Sequence, residues 1–329
     1  MPTPLVLVVG GAGYIGSHMV KLLLQQGCNV VTLDNLSTGY RDAVVGGEFR
    51  LADLADQPAL GRLFTQHRFD AVMHFASFIQ VGESVKEPAK YYENNVTNTL
   101  NLLNAMVANG VKRFIFSSSA AVYGNPHSVP IPEDHPKNPI NPYGRTKWMV
   151  EQILEDYDHA YGLKSVSLRY FNAAGADPEG QLGERHEPET HLIPLILRAA
   201  SGRAQDIKIF GRDYDTPDGT CIRDYVHVTD LCEAHRLALD HLLEGGASAA
   251  HNLGNGNGFS VAEVVNAAKR ITGRDIKITE APRREGDPPR LVADATRARK
   301  ELGWQPRLND LDAIINHAWA WERRSLGTS

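Results

Sequence analysis

Tyr143 and Lys147, four residues apart in the run Asn141-Pro142-Tyr143-Gly144-Arg145-Thr146-Lys147, are a pair whose types and spacing can move a proton. Asn141 suits a helix cap and Pro142 suits the first helical position, so both side chains are expected on one helix face. A phenol with an ordinary pKa near 10 is a poor base at neutral pH. A neighbouring cation favours phenolate, and a depression of two to three units corresponds to about 3 to 4 kcal/mol. A Tyr-Lys pair at this spacing is also what an exposed helix face looks like. A third group separates the two readings: Ser117-Ser118-Ser119 follows the apolar run Phe114–Phe116, placing hydroxyls at a strand's carboxyl end. That is the edge where parallel sheets bind ligands. Ser119 is placed to bridge a substrate hydroxyl and the phenol, while Ser117 and Ser118 are expected to satisfy carbonyls where the strand ends.

A second set of residues makes a phosphate cradle. Gly11-Ala12-Gly13-Tyr14-Ile15-Gly16 has GxGxxG spacing, Gly10 adds GxxGxxG, and the motif joins the run Leu5–Val9 to an amphipathic segment through Leu24. The glycines allow a tight turn and close backbone approach, and the unpaired N–H groups of a helix start face a pyrophosphate. Gly10, Gly13, Tyr14, Ile15 and Gly16 are therefore candidate cofactor residues. The next strand candidate ends in Asp34, eighteen residues past Gly16. A carboxylate there accepts both ribose hydroxyls and repels a 2′-phosphate, which favours NAD over NADP. Asp53 ends the third strand candidate and either reaches the adenine or caps a helix.

These residues need a scaffold, and the first half of the chain supplies one. Leu5–Val9, Val30–Leu33, Phe49–Leu51, Ala71–Phe75, Phe114–Phe116 and Val166–Tyr170 read as short strands separated by amphipathic, helical stretches. Near-continuous apolar strands alternating with helices imply a doubly wound, Rossmann-like α/β fold with a parallel sheet covered on both faces. After Asn172 glycine, proline and charge crowd the chain, and a second, smaller α/β lobe for the substrate is expected. The boundaries expected are residues 1–171 for the dinucleotide lobe, with 224–245 returning to it, and 172–223 plus 246–329 for the smaller lobe. In the returning segment, Asp224–Val228 reads as a strand and Thr229-Asp230 as the cap of a helix through Leu243.

Charge and composition exclude other classes. The chain has 329 residues, with 34 Lys and Arg against 39 Asp and Glu, so it lacks the basic footprint of a nucleic-acid binder. No apolar run approaches the roughly 18 residues of a membrane span. Met1–Pro4 carries no basic leader, and Cys28, Cys221 and Cys232 are too few and badly spaced for a disulfide framework or a structural zinc site. A cytoplasmic protein with reduced thiols is expected. His186-Glu187-Pro188-Glu189-Thr190-His191 superficially resembles a zincin helix, but its histidines are five apart and Pro188 breaks a helix, so no metal is assigned. Gly254–Gly258 before Ser260 reads as a glycine turn leading into a Ser-capped helix.

The Gly10–Gly16 motif, Asn94-Asn95, Ser119 and Tyr143-x-x-x-Lys147 together resemble the extended short-chain dehydrogenase/reductase family. Val81–Ser84, Phe116–Gly124, Arg169–Asn172, Gly219–His227 and Ala281–Asp287 carry the likeness into its UDP-sugar 4-epimerase branch, nearly end to end. The resemblance implies a tightly held NAD, reduced and reoxidised within one turnover that interconverts UDP-glucose and UDP-galactose through a transient 4-keto sugar. It implies Tyr143 as the proton carrier, Lys147 as the group that tunes it and holds the nicotinamide ribose, and Ser119 as the group that orients the sugar hydroxyl. It also assigns Asn35, Leu54, Phe75, Ala76, Ser77, Asn94 and Tyr170 to the cofactor. Asn172, His191, Leu192, Phe210, Arg223, Tyr225, Val261, Arg284 and Asp287 are assigned to the UDP-sugar, the arginines answering the diphosphate charge. Relatives pair as homodimers through two helices per subunit.

Three positions depart from the family pattern. Ile79 stands where some members have a cofactor-side lysine, and His191 where some have asparagine. Leu291 stands where a Tyr narrows the pocket to glucose and galactose and a Cys or Ser admits N-acetylated sugars, and it leaves both ranges open. A sugar 4,6-dehydratase would need an acid pair where Ala120 and Ala121 stand. A 4-epimerase of UDP-glucuronate or a UDP-pentose, and a non-catalytic NAD sensor, are the remaining alternatives.

Overall fold

A computed structural model describes residues 3–284 and 287–327. Fourteen strands follow in chain order: β1 Leu5–Val9, β2 Asn29–Asp34, β3 Glu48–Leu51, β4 Ala71–His74, β5 Arg113–Ser117, β6 Lys164–Arg169 and β7 Asn172–Ala174. The second half adds β8 Ile207–Phe210, β9 Ile222–Arg223, β10 Tyr225–His227, β11 Ala249–Asn252, β12 Phe259–Ser260, β13 Ile278–Ala281 and β14 Arg290–Leu291. The helices are α1 Tyr14–Gln25, α2 Gln57–Gln66, α3 Val81–Lys86, α4 Pro88–Tyr92, α5 Asn98–Ala108 and α6 Pro142–Tyr161. They continue with α7 Leu192–Ala200, α8 Val228–Leu243, α9 Val261–Thr272, α10 Thr296–Glu301 and α11 Leu311–Gly327.

Seven strands form one parallel sheet in the order β11-β6-β5-β4-β1-β2-β3. The strand order reverses between β1 and β4, and a doubly wound sheet opens its ligand crevice at such a point. One face is covered by α1 and α8, in a core that includes Met19, Leu23, Leu239 and the buried Trp304. The other face is covered by α2, α5 and α6 through Leu60, Leu103, Met106 and Val150. The smaller lobe has its own core, where Ile196, Val264, Ile314 and Trp319 of α7, α9 and α11 meet. Its strands form the small sheets β12-β9-β14, β10-β7 and β13-β8. Among the described residues no helix is long and apolar enough to cross a membrane.

The six early strands lie where the alternation of apolar runs and amphipathic stretches puts them. The returning segment differs. The strand at 225–227 pairs with β7 outside the large sheet, and the strand that joins the large sheet is β11, four residues beyond the expected return. Residues 295–304 come back again and bury Ala298 and Trp304 under the same core. The cap of α8 is His227, whose ring accepts from the Thr229 N–H. Asp230 instead accepts from the N–H groups of Arg307 and Leu308.

Candidate active site

The glycine turn is built by close backbone approach. A Cβ on Gly10, whose φ is +80°, would stand 2.5 Å from the Ala76 nitrogen, and one on Gly16 would stand 2.1 Å from the Gly10 carbonyl oxygen. Both positions therefore exclude a side chain. Gly13 caps α1 with no side-chain bond, leaving the N–H groups of Tyr14, Ile15 and Gly16 as the unpaired first donors of the helix. The Tyr14 side chain turns inward, where its hydroxyl donates to the Gly175 carbonyl at 2.7 Å, so only its backbone serves the turn.

These groups open on a solvent-connected crevice with about 590 Å³ of empty space, lined by Gly10, Gly13, Asp34, Asn35, Asp53, Leu54, Phe75, Ala76 and Asn94. Asp34 is buried, and its two carboxylate oxygens accept from Ala12 N–H at 2.9 Å and Leu36 N–H at 2.8 Å. Burial pushes its pKa up against those two hydrogen bonds. Each oxygen keeps lone-pair capacity for a ligand hydroxyl. Asp53 accepts from Asn35 Nδ2 at 2.6 Å and from Ala55 N–H; α2 is capped by Asp56 instead, which removes the capping reading of Asp53. Ser37, Thr38, Ser77 and Phe78 also line the crevice. The family resemblance already placed Ser77 there, while sequence reasoning passed over Ser37, Thr38 and Phe78 because loop residues after a strand carry no periodic signal. Leu36, held at φ +57° beside Asp34, marks how tightly that loop is bent. Asn95 fixes the crevice wall, pairing with both backbone groups of Phe78 and with Thr146 of α6, while Asn94 donates to Asn95. Ile79 stands exposed.

Beside the crevice α6 presents its face, which Lys147 joins to the lining through Ser77. Asn141 accepts from Gly144 N–H at 2.8 Å and Pro142 opens the helix, as their types require. Lys147 Nζ donates to Ser77 Oγ and to the Ser117 carbonyl, each at 2.8 Å, and lies 5.9 Å from the Tyr143 ring centre. Burial pulls the lysine pKa down to about 7 against the pull of Glu151. Burial likewise raises Tyr143, and Ser119 is the partner that opposes the rise. The lowering expected from Lys147 is thus not supplied by the protein alone, because the lysine itself resists charge where it is buried. Ser119 Oγ accepts from Ala121 N–H at 3.1 Å, leaving its own proton to donate toward the phenol and a substrate. Ser117 and Ser118 do not satisfy carbonyls: Ser117 Oγ pairs with Tyr170 OH at 2.5 Å, and Ser118 Oγ donates to Glu151 at 2.5 Å. Tyr170 is raised by burial.

The smaller lobe carries the other assigned residues. Arg223 on β9 pairs with Asp287, and Leu291 on β14 is in register with Arg223. Arg284 lies 4.1 Å over the Phe210 ring. Glu285 and Gly286 of the same motif lie outside the described residues. Asn172 donates to the Asp224 carbonyl at 2.9 Å, Tyr225 is buried beside it, and Val261 begins α9. Leu291 packs on the cluster of Ala120, Val122, Tyr123 and Ile131 that follows Ser119, which brings the small sheet to the catalytic turn. Asp224, read in the sequence only as the start of a strand, anchors this junction by accepting from Asn255 and Ala293 N–H, and burial raises it to about 6. Leu192 opens α7 after His191. The His191 ring is committed elsewhere, to Glu184 at 2.8 Å and Glu189 at 3.0 Å. Burial opposes its charge, yet Glu184 and Glu189 push it up to about 10.

Fold and site together define a dinucleotide-binding α/β protein of the extended short-chain dehydrogenase/reductase type. Residues 6–254 match the model of the NAD dependent epimerase/dehydratase family, and the chain belongs to that family. It is 54% identical to a UDP-glucose 4-epimerase of Rhizobium meliloti, covering 97% of each chain. A UDP-glucose 4-epimerase from Brucella ovis, solved in complex with NAD, is 53% identical with a TM-score of 0.95 over 96% of this chain and 98% of that one. A UDP-glucose-4-epimerase from Stenotrophomonas maltophila, solved with NAD and formylated UDP-arabinopyranose, is 41% identical with a TM-score of 0.95 over 99% and 100%. The resemblance read from the sequence is borne out, and NAD is the cofactor of this family.

Proposed function

We propose that the protein is an NAD-dependent epimerase that interconverts UDP-glucose and UDP-galactose. The observation that carries this is the cluster of Tyr143, Ser119 and Lys147, which Lys147 joins to the dinucleotide crevice through Ser77 and to which Leu291 of the small sheet is brought by its packing after Ser119. The residues fit NAD. Gly10 and Gly16 of the turn have no room for side chains, the α1 donors are unpaired, and Asp34 offers acceptors where a ribose diol needs them.

When bound, NAD supplies a reversible hydride acceptor and a positive ring. The chain's own residues do the rest. Arg223 and Arg284 hold the diphosphate, Ser119 orients the sugar's 4-hydroxyl, and Tyr143 takes its proton and later returns it. Lys147, with two of its three donors spent on Ser77 and Ser117, keeps one for the cofactor ribose. Inversion requires the 4-keto sugar to present its other face. Arg223 and Arg284 therefore grip the nucleotide end, while Leu291, apolar and held by its packing, leaves the sugar end free of strong bonds.

The two-lobed division belongs to this reading, the large lobe taking the dinucleotide and the small lobe the UDP-sugar. So does a cytoplasmic homodimer, supported by three free cysteines and by exposed Val81, Val85 and Met149 on the adjacent α3 and α6. The test is conversion of UDP-galactose to UDP-glucose by the purified protein with no added reductant. Absence of conversion with NAD demonstrably bound would favour a sensor, and conversion of UDP-pentoses alone would favour a different sugar.

A further inference from the structure

The loop before α7 gathers four ligating side chains that the reaction does not use. Glu184, His186, Glu189 and His191 each offer one donor atom, and the four donors all lie within 4.8 Å of one another. His186 Nδ1 is 3.0 Å from Glu184 Oε1 and 3.9 Å from Glu189 Oε2. His191 Nδ1 is 2.8 Å from Glu184 Oε1 and 3.0 Å from Glu189 Oε1. Donors held at about 2.0 to 2.2 Å around a tetrahedral ion stand about 3.3 to 3.6 Å apart. The measured spacings bracket that edge length before any ion is present.

A second observation points into the same space. Glu189 has a side chain only 1% exposed, and its Oε2 is buried with no hydrogen-bond partner. A buried carboxylate oxygen without a donor is costly, and an ion at the centre of the cluster would satisfy it. Its other oxygen accepts from the Thr190 and His191 N–H groups, which fixes the carboxylate's direction. The loop's backbone is anchored as well: Trp321 donates to the Glu184 carbonyl and Arg198 to the His186 carbonyl. Pro188 and the five-residue histidine spacing exclude a helical metal motif. They do not exclude one built on a loop, where ligands at steps of two, three and two residues fold around a centre.

We propose that Glu184, His186, Glu189 and His191 bind one divalent transition-metal ion, zinc by their chemistry. Two imidazoles and two carboxylates with no thiolate suit zinc, which takes the place of the proton that His191 Nδ1 shares with Glu184 and Glu189 and releases it to solvent, and four protein ligands close its shell, so the site is structural. Its position explains what it would hold. The Tyr14 ring stands edge-on to His186 at 6.4 Å, and Tyr14 opens the helix of the dinucleotide turn. His191 directly precedes α7, where Leu192 begins. An ion there fixes the loop that leads into α7 and, through His186, the ring against which Tyr14 packs.

The experiment uses full-length protein carrying a histidine-free affinity tag. Metal content is measured by plasma mass spectrometry, and the chelator-stripped protein is then titrated with cobalt(II) and zinc. The expected results are about one zinc per chain as purified, d–d bands of tetrahedral cobalt that zinc displaces, and a Tm that climbs with free zinc. Glu189→Gln and His186→Ala should each weaken binding about 100-fold or more. The proposal is overturned if stripped, folded wild-type protein shows neither cobalt bands nor a zinc-dependent Tm. Unchanged affinity in both folded variants would also overturn it, by placing the ion elsewhere. If a variant does not fold, the wild-type titration decides alone.

Discussion

Lys147 and Arg169 are both buried cations that feel the Glu151 carboxylate, and the protein treats them in opposite ways. Arg169 is saturated: Nε meets both Glu151 oxygens at 3.0 and 3.1 Å, a second nitrogen closes the fork, and another donates to Tyr123 OH at 2.8 Å. Tyr123 passes the network on to Asn252 of β11, so α6, β6, β11 and the turn after Ser119 are locked together. Lys147, one helical turn before Glu151, has among the described residues only a hydroxyl and a carbonyl as hydrogen-bond partners, and burial lowers it to about 7. The carboxylate that would have saturated the lysine is committed to the arginine. Where the fold needs rigidity it neutralises charge, and where it needs chemistry it leaves a cation and a phenol short of partners beside the crevice.

The sharpest way to break this contrast is at the reactive end. Tyr143→Phe should leave NAD content and circular dichroism unchanged while lowering kcat about 10²- to 10⁴-fold, and steady-state rates with UDP-galactose measure it. At the saturated end, Arg169→Met strands Glu151 and should destabilise the protein by about 3 to 5 kcal/mol in urea unfolding. Pairing it with Glu151→Leu should recover most of that loss, because removing both charges costs far less than removing one. The smallest effect is a slope. Lys147 has a folded pKa of about 7 against an ordinary 10.5, so the folded, ligand-free protein binds fewer protons than the unfolded chain between these values. Stability should therefore rise with pH across that window by at most about 1.4 kcal/mol per unit, relative to Lys147→Met. A flat difference would mean that the lysine keeps its proton.

The same contrast separates what was legible in the sequence from what was not. Asn141, Pro142 and the Tyr143/Lys147 step place α6 and its reactive face because local rules of capping and periodicity decide them. Asp34 and the glycine turn were legible for the same reason. The Arg169 network was not, since its partners come from residues 123, 151 and 252 and no spacing links them. Residues 249–252, Ala-Ala-His-Asn, have no β-branched member and become a strand only because β6 offers an edge. His227 displaces the expected Thr229-Asp230 cap because Asp230 is drawn to N–H groups some eighty residues away. The lysine's depressed pKa is a property of burial, which composition does not reveal.

The central claim is that Tyr143 becomes an effective base only when the cofactor's positive ring joins Lys147 beside it. Ultraviolet titration of wild-type protein minus Tyr143→Phe, with NAD bound and with NAD stripped, tests this directly. The account predicts a phenol that ionises above the ordinary value of about 10 in stripped protein and clearly below it in loaded protein. A phenol that stays at or above that value with NAD bound would contradict it.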